Sequence, residues 1–290
     1  MFNRILIPIS QEKPSERAAK MALEFAKILN ASVVFTYALT EKVPTDFGQE
    51  VIRPWKERAL NLGVRAESRL ADGYTMNIGD AIAFEADSAN CDLIVMGTHA
   101  REGLNRLLMG SVAERVSRVA KIPVLLVHGE EGKPPTVMFK RILVPIDGSE
   151  TSVLALENAK ELAIKLGSEL HLVHVVPDVP LPIGDPIGGY SAFDYTTLAA
   201  SLEMTGKQTL TQATAFLKPL VPIIHLHHAH GNKTQSLILQ TAKEQQVDLI
   251  VMGTHGYGGL NYLFLGSVAQ AVSHHASVPV LLVRPVEKTT

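Results

Sequence analysis

In the second half of this 290-residue chain, two stretches carry residue types suited to meeting a ligand, the first as a hydrogen-bond acceptor and the second as an anion cradle. The first is Pro145-Ile146-Asp147-Gly148-Ser149, a short apolar run that ends on a carboxylate. The second is Met252-Gly253-Thr254-His255-Gly256, followed after nine residues by Gly266-Ser267-Val268. Glycines let a backbone approach an anion closely, and a helix that starts at the second glycine pair turns its unpaired amides and positive dipole end toward it. Ser267 adds a hydroxyl at the expected N-cap position. Turn glycines also serve backbone conformation, so this loop needs an independent mark to read as a phosphate cradle.

Other constellations point less far. Gly231-Asn232-Lys233-Thr234 ends like a P-loop, but Leu226 occupies the place of the glycine that motif needs. Asn232 or Thr234 is expected to cap the following helix instead. His225, His227, His228 and His230 are dense, yet on a strand His225 and His227 face one side while His228 and His230 face the other. No Cys or acidic residue stands among them to complete a tetrahedral site, so no metal is expected there. His255 beside Ser267 could suggest nucleophilic catalysis, but no Gly-x-Ser-x-Gly elbow accompanies the pair. Cys91 reads as a small core residue, and Trp55 and Phe47 as packing for the second helix.

The elements that must position these residues occur twice. Arg4-Ile5-Leu6-Ile7-Pro8-Ile9 returns as Arg141-Ile142-Leu143-Val144-Pro145-Ile146, and residues 92–99 return unchanged as residues 248–255. Pro123-Val124-Leu125-Leu126-Val127 returns at residues 279–283. Such self-similarity marks a duplicated architecture. In the first half, apolar runs at residues 5–9, 32–39, 64–71, 93–96 and 124–127 read as strands. They alternate with helical periodicity at Ala18, Ala19, Ala22, Leu23, Ala26 and Leu29, and over residues 55–62, 77–90 and 111–120. The second half repeats the order. Its strands fall at 142–146, 170–176, 223–229, 249–252 and 280–283, and its helices at 152–166, 195–217, 234–245 and 267–275. Continuous apolar strands alternating with helices imply a parallel sheet covered on both faces. In such sheets ligands settle outside the carboxyl ends of the strands, which selects the tips of each half's first and fourth strands. Domains are expected over residues 1–130 and 138–286. Between them lies a Gly-Glu-Glu-Gly-Lys-Pro-Pro-Thr linker, and the second half adds a Pro- and Gly-rich loop at 177–194 that reads equally as a lid or as a surface insertion.

Composition narrows the partners. A net charge of −2, from 27 basic and 29 acidic residues, offers no electrostatic footprint for nucleic acid. No apolar run approaches the roughly 18 residues that span a bilayer, and no signal-peptide pattern opens the chain. With one cysteine, no intrachain disulfide framework exists, and the chain reads as cytoplasmic.

Both halves resemble the universal stress protein domain. Nucleotide-binding members of that family show Gly-x-x-Gly, nine residues, then Gly followed by Ser or Thr, with an Asp ending the first strand. The second half matches at Asp147, Gly253, Gly256, Gly266 and Ser267. The resemblance implies two doubly wound five-stranded parallel sheets of adenine nucleotide alpha-hydrolase-like type, each with strand order 3-2-1-4-5. It implies ATP, with Mg²⁺ as an accompanying ion. Adenosine would sit between the first and fourth strands, and the phosphates on the glycine loop. The nominated site is Pro145, Ile146, Asp147, Val175, Met252, Gly253, Gly256, Gly266, Ser267 and Val268, with the Val175 backbone meeting adenine. The first half departs from the pattern: Ser10 stands for Asp147 and Ala100 for Gly256, while Gly97, Gly110 and Ser111 remain. Nucleotide binding is therefore expected in the second half, with slow or no hydrolysis because neither a Walker lysine nor a Mg²⁺-carboxylate pair is evident. The alternatives are a nucleotide-free interaction protein and an enzyme of the alpha-hydrolase kind. The resemblance also implies pairing through the fifth strands, as an intramolecular pseudo-dimer and as a two-chain assembly.

Overall fold

The fully apolar runs become the interior strands of one sheet. The computed structural model of the chain describes residues 1–40, 44–98, 109–128, 139–179, 192–256 and 265–285. The linker, most of the 177–194 loop, and the pair His99 and Ala100 lie outside the described residues. The first half runs β1 (Arg4–Pro8), α1 (Lys13–Leu29), β2 (Ser32–Leu39), α2 (Thr45–Asn61), β3 (Ala66–Asp72), α3 (Ile78–Ser88), β4 (Leu93–Gly97), α4 (Ser111–Val119) and β5 (Val124–Val127). The second runs β6 (Arg141–Pro145), α5 (Glu150–Leu166), β7 (Glu169–Val176), α6 (Ala192–Leu217), β8 (Ile224–His230), α7 (Thr234–Glu244), β9 (Leu249–Gly253), α8 (Ser267–His275) and β10 (Val280–Val283).

Within each half the strands are parallel and ordered 3-2-1-4-5, so the expected doubly wound topology holds. Helix α1 shows why the sequence folds this way. Ala18, Ala19, Ala22, Leu23, Ala26 and Leu29 are all buried on one stripe, a proline opens the first turn, and Asn30 closes the helix in the left-handed region at φ 59°. Its counterpart α5 opens on Ser149, whose side chain accepts from the Ser152 amide, and closes on Gly167 at φ 69°. Helix α2 departs from the expected start after Pro54. It begins at Thr45 and carries the proline inside it, because Gly48 and Ile52 in the earlier turns pack onto the sheet.

Strands β5 and β10 pair antiparallel, Val124 opposite Leu282 and Leu126 opposite Val280, which joins the halves into a ten-stranded sheet. The two exposed edges thereby satisfy each other's backbone groups, and neither is left for a second copy of the chain. Reciprocal contacts lock the junction. His128 Nε2 lies 2.7 Å from the Ser273 carbonyl on α8. Arg284, at the matching position of the other half, donates from Nη1 to the Arg118 carbonyl at 2.9 Å and from Nη2 to the Ser117 carbonyl on α4. Burial pushes the Arg284 guanidinium down to about 10, still charged at neutral pH. Apolar layers on both sheet faces run through β5 and β10 without interruption. Among the described residues no helix is long and apolar enough to cross a membrane.

Candidate functional site

At the carboxyl ends of β6 and β9 the chain opens a cleft of about 440 Å³. All ten nominated residues line it: Pro145, Ile146, Asp147, Val175, Met252, Gly253, Gly256, Gly266, Ser267 and Val268. Its volume falls in the roughly 300–1,000 Å³ range of small-molecule sites. The walls divide by chemistry. Pro145, Ile146, Val173, Val175, Met252 and Ile238 form an apolar slot, while the Asp147 carboxylate, the Ser267 and Thr254 hydroxyls and the start of α8 form a polar end.

Asp147 is oriented by the turn that follows β6. The amide and hydroxyl of Ser149 donate to its Oδ1 at 2.9 and 2.5 Å. The other oxygen, Oδ2, faces Gly256, where an added Cβ would lie only 2.8 Å away. Gly256 is thus a close-approach glycine and not a strained one, since its φ lies outside the left-handed region. An alanine here would crowd Asp147 without straining the backbone.

Gly253 has a different reason. A Cβ there would meet Thr151 Oγ1 at 2.6 Å and the Thr151 carbonyl carbon at 2.8 Å, so the residue is small to let the first turn of α5 pack on β9. Thr151 Oγ1 in turn donates to the His255 carbonyl and ties down the glycine loop. The same close fit occurs in the first half, where a Cβ on Gly97 would lie 2.3 Å from the Pro14 carbonyl oxygen. This glycine belongs to the fold as much as to any ligand.

Helix α8 is capped by Gly266, which places Ser267 at the first helical position and not at the N-cap. Its first helical hydrogen bond runs from Gln270 N–H to the Gly266 carbonyl, so the amides of Ser267, Val268 and Ala269, all at the cleft, precede the helical ladder. Burial, with Arg284 adding to it, lowers the pKa of His255, whose Nδ1 is 3.0 Å from Thr254 Oγ1. Its imidazole is neutral at pH 7. The sequence reading missed Ser152, Thr234 and Ile238 on the cleft wall, and His174, whose Nδ1 sits 2.7 Å from the Ile146 carbonyl and braces the strand tip. The polar spacing Ser149-x-x-Ser152 was the available signal.

The matching cleft of the first half is about 280 Å³. Ser10 lines it, its amide donating to Ser15 Oγ at 2.8 Å, and Glu12 stands on the wall at the position of Ser149. The Ala100 departure lies outside the described residues.

Elsewhere, Lys233 caps α7 without a side-chain bond, in place of the expected Asn232 or Thr234. Cys91 is buried, with its thiol pushed up to about 11 by that burial. Phe47 packs edge-on to Tyr37 at 6.0 Å, and Trp55 lies half-buried against the core. The histidines of β8 split between the two faces as their alternation requires, but the sheet register and a neighbouring helix bring carboxylates to both groups. Glu169 and His171 join His225 on one face, and Glu203 joins His228 and His230 on the other.

A doubly wound sheet with an open cleft at its strand tips, built twice and joined edge to edge, defines the class of protein. Residues 1–128 and 138–284 each match the universal stress protein family, and the chain belongs to that family. A universal stress protein of Mycolicibacterium smegmatis is 25% identical over 97% of this chain and 97% of its own length. Another, from Mycobacterium tuberculosis, is 32% identical over 68% of this chain, which spans 63% of that relative. The crystal structure of a universal stress protein from Archaeoglobus fulgidus superposes with a TM-score of 0.70 at 22% identity, covering 97% of this chain and 98% of that one.

Proposed function

We propose that the chain is an ATP-binding stress-signalling protein whose nucleotide is held in the cleft of its C-terminal half, one per chain. The observation that carries this reading is the convergence, in one cleft of fitting size, of every residue that the family pattern nominates. The apolar slot between β6 and β9 suits a flat base. Asp147 Oδ2 can accept from a ribose hydroxyl, and the amides before the α8 ladder suit phosphate oxygens. A Cβ at Gly256 would intrude beside that carboxylate, as expected of a cradle shaped for a ligand.

No lysine or arginine stands among the described lining residues, and Asp147 is their single carboxylate. Mg²⁺ would therefore enter with the triphosphate, held mainly by its oxygens. Without a cationic side chain to stabilise a transferring phosphoryl group, this half binds and orients the nucleotide and turns it over slowly. Calorimetric titration of ATP into the full chain, with and without Mg²⁺, is expected to give one equivalent. No heat at millimolar ATP would favour the nucleotide-free interaction protein, and two equal sites would remove the asymmetry between the halves.

A further inference from the structure

We propose that the face of β7 and β8 next to α7 carries a site for one borderline divalent transition-metal ion, Zn²⁺ in the first instance, with Glu169, His171 and His225 as ligands. The candidate ligand atoms already lie together. Glu169 Oε2 is 3.5 Å from His225 Nε2 and 3.9 Å from His171 Nε2, and all three atoms lie within 4.8 Å of one another. Ligands bound to zinc at about 2.0–2.1 Å in tetrahedral geometry stand about 3.4 Å apart, so closing on an ion needs only small side-chain movements. Two imidazoles and a carboxylate are the donor set that such ions favour.

Burial supplies the independent observation. His171 is 3% exposed, and its Nε2, aimed into the cluster, is buried with no hydrogen-bond partner among the described residues. A lone ring nitrogen held away from water is costly unless something binds it. The opposite nitrogen, Nδ1, is 3.1 Å from His227 Nε2. With the proton on Nδ1, His171 donates to His227 and leaves the Nε2 lone pair for an ion, which is how the outer shell of a metal site fixes its histidine tautomer. His171 is also stacked on His225, with ring centroids 4.5 Å apart, and lies side by side with His227 through that Nδ1 contact, which together hold it in orientation. His225 is about half exposed, so an ion can enter and keep an outer position for water.

Among its described residues the first half carries no such set. Val34 pairs opposite Glu67 where His171 pairs opposite His225, and Glu67 is spent on Arg4 at 2.7 Å. On the far face of β8, Glu203 approaches His228 and His230 but is shared with Lys207 at 3.0 Å, a cation that competes with any metal. That second group is the internal control. Arg141, whose charge acts on His171, is engaged by the Gln245 and Gln246 carbonyls.

The test is a Zn²⁺ titration of the full, tag-free chain against a chromogenic chelator, without nucleotide, backed by Co²⁺ absorption as a reporter of coordination number. One tight equivalent is expected, with the intense visible bands of four-coordinate Co²⁺. His225→Ala and Glu169→Gln, at partly exposed positions, should each weaken it by about 100-fold or more, and His227→Ala by about 10–100-fold. His228→Ala with His230→Ala should leave it unchanged. Circular dichroism of each variant separates a lost ligand from a lost fold. Millimolar binding indifferent to His225 and Glu169, or tight binding that follows His228 and His230, would overturn the assignment.

Discussion

The two clefts share a scaffold and differ in a few side chains, which separates what the fold requires from what a ligand would require. Gly97 and Gly253 are both small because the first turn of a helix packs directly on the tip of the fourth strand, against Pro14 in one half and Thr151 in the other. Gly110 and Gly266 both cap the helix that follows. These glycines persist in the half whose strand tip lacks a carboxylate, so they mark the architecture. The cleft walls differ in other residues: Asp147 against Ser10, Val173 against Thr36, Val175 against Ala38 and Thr234 against Ile78, with a cleft of about 440 Å³ against one of about 280 Å³. A glycine-spacing motif read alone overstates what it says about phosphate.

The largest expected effect breaks the second cleft down toward the first. Asp147→Ala removes the acceptor, and Gly256→Ala crowds the position 2.8 Å from it. A hydrogen bond to a charged group is worth about 1.5–3 kcal/mol, so each variant should lose roughly ten- to a hundredfold in ATP affinity. The two sites touch, so the losses should not simply add. Calorimetry on the single and double variants measures this. Wild-type affinity for both singles would remove the site assignment.

Next comes the shared glycine. Gly97→Ala, far from the C-terminal cleft, should destabilise the chain by about 1–3 kcal/mol, because its Cβ meets helix backbone. Gly253→Ala should cost somewhat less, since its backbone clash, with the Thr151 carbonyl carbon at 2.8 Å, is milder than the 2.3 Å approach to the Pro14 carbonyl oxygen. Urea unfolding of both variants checks the order, and ATP affinity in Gly97→Ala should be unchanged.

Most of this architecture was legible in the sequence. Apolar strands such as residues 93–96 and 124–127 are buried on both faces and leave no competing period, and the repeat fixes the order of elements twice. What was not legible depends on neighbours from elsewhere in the chain. The second helix was read only over residues 55–62, and the docking of Gly48 and Ile52 on the sheet extends α2 back through Pro54 to Thr45. His225 looked unaccompanied by acid because Glu169 and His171 reach it across strands, and that register is invisible along one strand. Ser152, Thr234 and Ile238 escaped notice because they come from the flanking helices, while the motif names strand tips.

A smaller effect distinguishes the two clasps at the junction. His128 and Arg284 occupy matching positions, each bonded to a helix-end carbonyl of the other half. Burial lowers the pKa of His128, so the unfolded chain takes up its proton first as pH falls. Its contribution is fully present above the ordinary histidine value of about 6.5 and declines as pH drops below it. Arg284 keeps its charge throughout that window. His128→Gln, which retains an N–H donor toward the Ser273 carbonyl, should therefore lose less stability than wild type between pH 7.5 and 5.5 in urea melts. Parallel curves would show that this imidazole takes up its proton equally in the folded and unfolded chain, so that burial gives it no pH-dependent contribution.

The smallest expected effect concerns repairing the first cleft at one position. Ser10→Asp restores a carboxylate at the strand tip, where the Glu12 amide already donates to the Ser10 side chain at 3.4 Å, but not the hydroxyl that would complete its orientation. In the second half Ser149 donates twice to Asp147 Oδ1 and leaves Oδ2 toward the ligand. Glu12 stands in that place in the first half, so the new carboxylate would lack the hydroxyl donor and share the cleft with a second negative charge. Like charges at such range repel each other and an incoming phosphate. Ser10→Asp in an Asp147→Ala background should thus change ATP binding by no more than about threefold, near 0.6 kcal/mol. Adding Glu12→Ser supplies the hydroxyl and removes the charge, and should produce the larger gain. Calorimetry on the three full-length chains measures both steps. A full second site from Ser10→Asp alone would mean that the carboxylate suffices and that the hydroxyl beneath it does not matter.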